Sequence, residues 1–75
     1  MLTFEWSKND EHLEIHADEA GLARLAKVVE YLRGKSDQDH VHLMSPKWGG
    51  AELSDTCQGL SNRPIHHVKV FSWKG

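Results

Sequence analysis

Hydrophobic and polar positions alternate along the first part of the chain. Leu2, Phe4 and Trp6 are separated by Thr3 and Glu5, the period-two signature of a strand with one face buried. That pattern places Leu2, Phe4 and Trp6 in a core and turns Thr3 and Glu5 to water. A polar run from Ser7 to Glu11 carries the turn formers Asn9 and Asp10. Alternation then resumes with Leu13, Ile15 and Ala17 against His12, Glu14 and His16, so the first two strands form a hairpin. The period changes after Asp18, which suits the N-cap of a helix, with Glu19 in its first turn beside the positive end of the dipole. Leu22, Leu25, Ala26, Val29 and Leu32 recur at helical steps and predict one apolar stripe, opposite Arg24, Lys27, Glu30 and Arg33. The basic Arg33 and Lys35 around Gly34 mark where this helix ends.

After the polar linker Ser36 to Asp39, His40-Val41-His42-Leu43-Met44 alternates again and predicts a third strand that ends near Pro46. From Pro46 to Pro64, with Gly49, Gly50 and Gly59 between, no periodicity persists. A loop this long in so small a chain tends to be functional when it is ordered. Ile65 to Trp73 is rich in β-branched and aromatic residues and predicts the last strand. Val68 and Val70 are assigned inward, which leaves His67, Lys69, Phe71 and Trp73 on the other face and keeps Lys69 out of the core. The expected fold is α+β: a β-β-α-β-β order, with a four-stranded sheet and one helix packed on one face, in a single domain spanning residues 1–75. One helix covers only one face of such a sheet, so the other stays wet, meets a second copy or receives a partner. By alternation that open face carries His12, His16, His40, His42, His67, Phe71 and Trp73.

Size and charge narrow the function. The chain has 75 residues, with 9 Lys and Arg against 11 Asp and Glu and a formal charge of −2. It lacks the positive excess that a row of phosphates requires, so nucleic acid is not an expected partner. Cys57 is the single cysteine, and a small secreted domain would normally carry disulfides, which favours a cytoplasmic setting. No stretch approaches the roughly 20 apolar residues of a membrane span, and no signal-like start is present, so no membrane association is expected. Catalysis would need a nucleophile and base converging on a pocket. Cys57 or a nearby serine with a histidine is the only candidate set, no spacing makes it specific, and no cofactor is indicated.

The histidines suggest a metal, because His40 and His42 point the same way at strand spacing and His66 or His67 adds a further donor. No companion carboxylate pattern accompanies them, so a histidine zinc site stands as the alternative and not as the first reading. Trp48-Gly49-Gly50 differs in kind, since an indole beside two glycines in a loop is not explained by strand or helix packing. It serves either as a plug for the core or as an interface anchor.

The run His40-Val41-His42-Leu43-Met44-Ser45-Pro46-Lys47-Trp48-Gly49-Gly50-Ala51-Glu52-Leu53-Ser54, followed by Ile65-His66-His67-Val68-Lys69-Val70, resembles the bacterial immunity protein 32 family over nearly the whole chain. Members are small α+β proteins thought to neutralise a toxin domain encoded beside them in polymorphic toxin systems. The resemblance implies a non-catalytic binding protein whose partner is a cognate toxin. The matching residues are His40, His42, Pro46, Trp48, Gly49, Gly50, Glu52, Leu53, Ser54, His66 and His67. Combined with the open sheet face, they give an expected contact surface of His40, His42, Trp48, Gly49, Gly50, Glu52, His67 and Trp73. A homodimer through the same face is compatible with this expectation.

Overall fold

The computed structural model describes residues 1–75. Its elements are β1 (Leu2–Ser7), β2 (His12–Ala17), α1 (Glu19–Arg33), β3 (His40–Met44), β4 (Arg63–Pro64) and β5 (His67–Phe71), with a short 3-10 turn at Pro46–Trp48. The α+β class and the hairpin are as expected. β1 and β2 pair antiparallel with Phe4 opposite Ile15 and Glu5 opposite Glu14.

The expected single four-stranded sheet is replaced by two antiparallel sheets, one in the order β2-β1-β4 and the other pairing β3 with β5. The final segment passes from one sheet to the other. Its Ile65 amide bonds Phe4 O of β1 at 2.8 Å, whereas its His66 carbonyl accepts from Ser45 N, at the end of β3, at 3.0 Å. Beyond Ile65 the place beside β1 is taken by the loop, because Ser54 N donates to Leu2 O at 2.8 Å. Leu53 is buried at that point. A strap from Glu52 to Ser54 thus separates the sheets where an unbroken strand was expected.

The core is Leu2, Phe4, Val28, Leu32, Leu43 and Leu53, with Leu25, Val41, Val68 and Val70 packed against it. The inward assignment of Val68 and Val70 agrees with this. Trp6, expected in the core, is only half-buried. The helix stripe also differs. Gly21, Val28 and Leu32 face inward, while Leu22 and Val29 are 58% and 50% exposed. Gly21 sets the rotation: a Cβ there would lie 1.9 Å from Met1 O, so only glycine lets this turn of α1 approach the start of β1. Asp18 caps the helix through a 2.9 Å bond from Gly21 N and also takes the N-terminal ammonium of Met1.

Candidate functional site

Two groups of polar and aromatic side chains lie on the sheets, and they are not the one continuous face expected from alternation. The first belongs to the three-stranded sheet. Thr3 and Glu5, assigned to water by their period, are buried, with Glu5 at 0% exposure. What covers them is the long loop. Glu5 accepts from Gln58 N at 2.9 Å, Gly59 N at 3.1 Å and Asn62 Nδ2 at 2.9 Å, and the Thr3 hydroxyl completes the set. Burial alone would raise its pKa, but the hydrogen bonds from Thr3, Asn62, Gln58 and Gly59 outweigh it and hold the carboxyl at about 2.

Glu14 stands directly across the ladder from Glu5, a like-charge pairing that would repel on its own. Asn62 Nδ2 bridges the two at 2.9 and 2.8 Å. His12 and His16 contact Glu14 at 2.7 and 2.8 Å. These imidazoles, with Asn62, bring the Glu14 carboxyl down to about 2. Glu5, Glu14 and His16 have the donor types and proximity of a cation site, yet every one is already engaged within the chain. Burial and the nearby Glu5 push the thiol of Cys57 up in pKa, so it is a weak nucleophile.

The second group lies on the β3–β5 sheet. His40 stacks on Phe71 with centroids 4.8 Å apart and meets His42 edge-on at 4.9 Å. His42 stacks on His67 at 5.1 Å, and Trp48 tilts against His67 at 5.7 Å. His42 Nδ1 and His67 Nε2 share a 2.9 Å hydrogen bond. The pKa of His42 is lowered by desolvation first and then by the neighbouring charges of His40, His67 and Lys69. Trp48 is 58% exposed and Phe71 45%, so the indole is not a core plug. His40, His42, Trp48, Phe71 and His67 therefore form one exposed strip. His12 and His16, expected on the same face, belong to the Glu5 group. Trp73 is exposed too, but it borders a hollow with Leu32, Arg33 and Lys35 away from the imidazoles.

Below the strip, a turn holds Trp48 outward, and most of the long sequence motif builds that turn. Ser45 is fully buried, and its carbonyl accepts from Trp48 N and Gly50 N, both at 2.9 Å. Pro46 opens the 3-10 turn and Gly49 closes it at φ 85°, a conformation that disfavours a side chain. At Gly50 a Cβ would lie 2.4 Å from Met44 O. Glu52 receives the Met44 amide on Oε1 at 3.0 Å, a bond that keeps its carboxyl below the usual carboxylate range. Gly49, Gly50 and Glu52 thus shape the backbone, whatever else they touch.

Ser45, His66 and Asp55 bring the residue types of a hydrolytic triad together. Their geometry is different: Ser45 Oγ and Asp55 Oδ1 approach the same ring nitrogen, His66 Nδ1, at 2.7 and 3.5 Å. A triad needs opposite ring nitrogens and an accessible hydroxyl, whereas Ser45 is buried. The group ties β3 to the start of β5.

Sequence reasoning missed Glu5, and alternation could not have revealed it, because the signal lies in a loop more than 50 residues away. No helix is long and apolar enough to cross a membrane. No curated protein and no solved structure matches the chain. The family model described as Immunity protein 32 matches residues 12–74. This span holds the imidazole–aromatic strip, the Trp48 turn and the loop that closes over Glu5, and the chain belongs to the immunity protein 32 family.

Proposed function

We propose that this chain neutralises a cognate bacterial toxin domain by occlusion, without catalysis, and that it does so in the cytoplasm through the exposed strip on the β3–β5 sheet. One observation carries the reading: the carboxylates of the first sheet's polar face are satisfied within the chain, Glu5 under the loop and Glu14 by Asn62, His12 and His16, whereas His40, His42, His67, Phe71 and Trp48 stack together and leave Trp48 and Phe71 exposed. Imidazoles and an indole are good anchors, since they offer large contact area at low entropic cost together with polar tips. Gly49, Gly50 and Glu52 serve the surface by fixing the turn under Trp48, and Trp73 is its outlying member.

The surface area is sufficient. The chain exposes 5298 Å², and a standard interface takes about 800 Å² from each partner, near 15% of this total. An effective antitoxin holds its target at about nanomolar strength, close to −12 kcal/mol, which a few buried anchors dominate.

The test is a survival assay: the reading frame beside this one is induced in a sensitive bacterium with and without this chain. Rescue establishes immunity and identifies the target. A toxic neighbour that kills regardless of soluble, folded chain removes the reading.

A second reading, a histidine metal site, draws on the 2.9 Å approach of His42 Nδ1 and His67 Nε2. It requires stoichiometric zinc binding that raises the melting temperature and is lost in His42→Ala. Unchanged melting with excess zinc ends it.

A further inference from the structure

The unpaired edge of β3 lies beside the imidazole strip, and the inference drawn from it rests on the toxin-binding reading above. β3 pairs with β5 on one side only. Ser45 N bonds His66 O and Ser72 N bonds Asp39 O, so the odd-numbered residues of this stretch direct their backbone groups toward β5. Met44 faces the other way, its amide on Glu52 Oε1 and its carbonyl accepting from Glu52 N and Leu53 N at 3.2 Å. Alternation in an antiparallel ladder then places the N–H and C=O of His42 on the open side. The His40 amide there is taken by the Asp39 side chain at 3.1 Å. The free edge is therefore short: it is closed at one end by the Glu52–Leu53 strap and at the other by Asp39, and it offers both backbone groups of His42 and the carbonyl of His40.

Beside this edge runs a groove of about 720 Å³ between β3 and α1. Ala23 and Tyr31 form its helical wall, and Val41 and Leu43 its strand wall. Arg24 and Lys27 rise from the same helix face, and neither has a carboxylate within salt-bridge distance. Glu52, the one acid lining the groove, is tied to the Met44 amide and lies near enough to Arg24 to feel its charge, which leaves Lys27 as the cation furthest from compensation.

We propose that the edge receives an extended segment of the cognate toxin by strand addition. The segment pairs with His42 through both backbone groups. Its side chains on one face are apolar, with an acidic residue, and enter the groove against Val41, Tyr31 and the Arg24–Lys27 pair. On its other face they lie beside His40 and His42, extending the imidazole strip. The acidic requirement follows from Arg24 and Lys27, neither of which forms a salt bridge, and the extended conformation from the edge itself.

The probe is the peptide acetyl-Thr-Val-Thr-Glu-Thr-Val-Thr-amide, titrated into isotope-labelled chain while the backbone amides are followed by NMR. The expected result is a saturable shift centred on His42, at least about tenfold weaker when lysine replaces the glutamate and absent when proline replaces the central threonines. No saturable shift up to about 1 mM peptide, or equal binding of the lysine peptide, overturns the proposal. So does an His42 amide already protected from exchange in a concentration-dependent dimer, which would assign the edge to a second copy.

Protection from the toxin supplies the other arm, with His42→Pro compared against His42→Ala. Both lack the imidazole and only the first lacks the amide, so the proline variant is expected to lose at least about tenfold more affinity. Equal loss in two folded variants removes strand addition and leaves immunity standing. If the wild-type chain gives no protection, the toxin is excluded as occupant. The peptide titration needs no variant to fold, and alone decides whether the edge accepts a strand.

Discussion

The polar face of the three-stranded sheet and the strip on the β3–β5 sheet are built from similar residues and end in opposite conditions. Both carry histidines at alternate positions. On the first sheet, Asn62 of the loop joins Glu5 to Glu14, His12 and His16 bond Glu14, and the loop roofs Glu5. On the second, His40, His42 and His67 stack mainly on one another and on aromatic neighbours. A buried polar group is tolerated only when its hydrogen bonds are made. The first face makes them internally, which turns it into structure. The second leaves imidazole edges and an indole facing outward, where a partner can complete them. The difference teaches that histidine content alone says little about a site, and that the disposition of the covering loop decides which histidines are available.

The sharpest way to break the comparison is to remove the anchor of the covered face. Glu5→Ala leaves the Gln58 and Gly59 amides and Asn62 without their acceptor. Each buried donor left unpaired costs about 1–3 kcal/mol, and three are left here, against roughly 5 kcal/mol for the whole of a domain this small. The variant should be largely unfolded by circular dichroism at room temperature. A melting temperature near wild type would show that the loop is held by something else.

Acid should produce the same loss gradually. The carboxyls of Glu5 and Glu14 sit at about 2 when folded and near 4.5 otherwise. A depressed folded pKa contributes stability that is complete above the unfolded value and disappears as pH falls through the folded one. Urea midpoints should therefore hold above pH 4.5 and drop steadily toward pH 2. In Glu14→Gln the slope over that window should be shallower, and an unchanged slope would place the acid sensitivity elsewhere.

Two substitutions at the Trp48 turn separate structure from contact. Gly50→Ala drives a Cβ to 2.4 Å from Met44 O, a backbone clash expected to cost about 1–3 kcal/mol in thermal denaturation. Trp48→Ala removes an indole that is 58% exposed and should leave stability within about 0.5 kcal/mol. Its effect belongs in toxin affinity, where loss of an anchor costs about 2 kcal/mol or more, roughly thirtyfold. If Trp48→Ala unfolds the chain, the indole supports the fold and is not an anchor of the open face.

Much of this was legible in the chain. Leu13, Ile15 and Ala17 lie in the strand their alternation suggests, although Leu13 and Ile15, expected inward, are 48% and 49% exposed; Asp18 caps as its position suggests, and His40, His42 and His67 do share a face because their register is local. The misreadings have a common cause. Periodicity reports whether a residue's two sides differ, and β1 is enclosed on both: the helix and core cover Leu2 and Phe4, and the loop covers Thr3 and Glu5. Gly21 carries no hydropathy signal, yet its closeness to Met1 O rotates the helix stripe away from Leu22 and Val29. The division into two sheets depends on Leu53 and Ser54, residues of a segment without periodicity, taking the place beside β1 where a continuous strand would run.

The smallest expected effect concerns the charge state of the open strip. His42 has its pKa lowered, first by desolvation and then by His40, His67 and Lys69, so the folded chain resists protonation there more than the unfolded chain does. The sign follows: this contribution to stability is complete above the ordinary histidine value of 6.5 and shrinks as pH falls from that value through the depressed one. A docked toxin would dry the strip further and hold His42 neutral more firmly, so capture should weaken over the same acid range. Removing one of these neighbouring charges should reverse part of the shift without touching the covered face. In His40→Ala, the ring Cε1 proton of His42, followed by NMR, should titrate closer to 6.5 than in wild type, with the carboxyls of Glu5 and Glu14 unmoved. A wild-type His42 that titrates at or above the ordinary value would mean that the strip is wetter than its stacking suggests, and the contrast between a closed face and an open one would then rest on Trp48 alone.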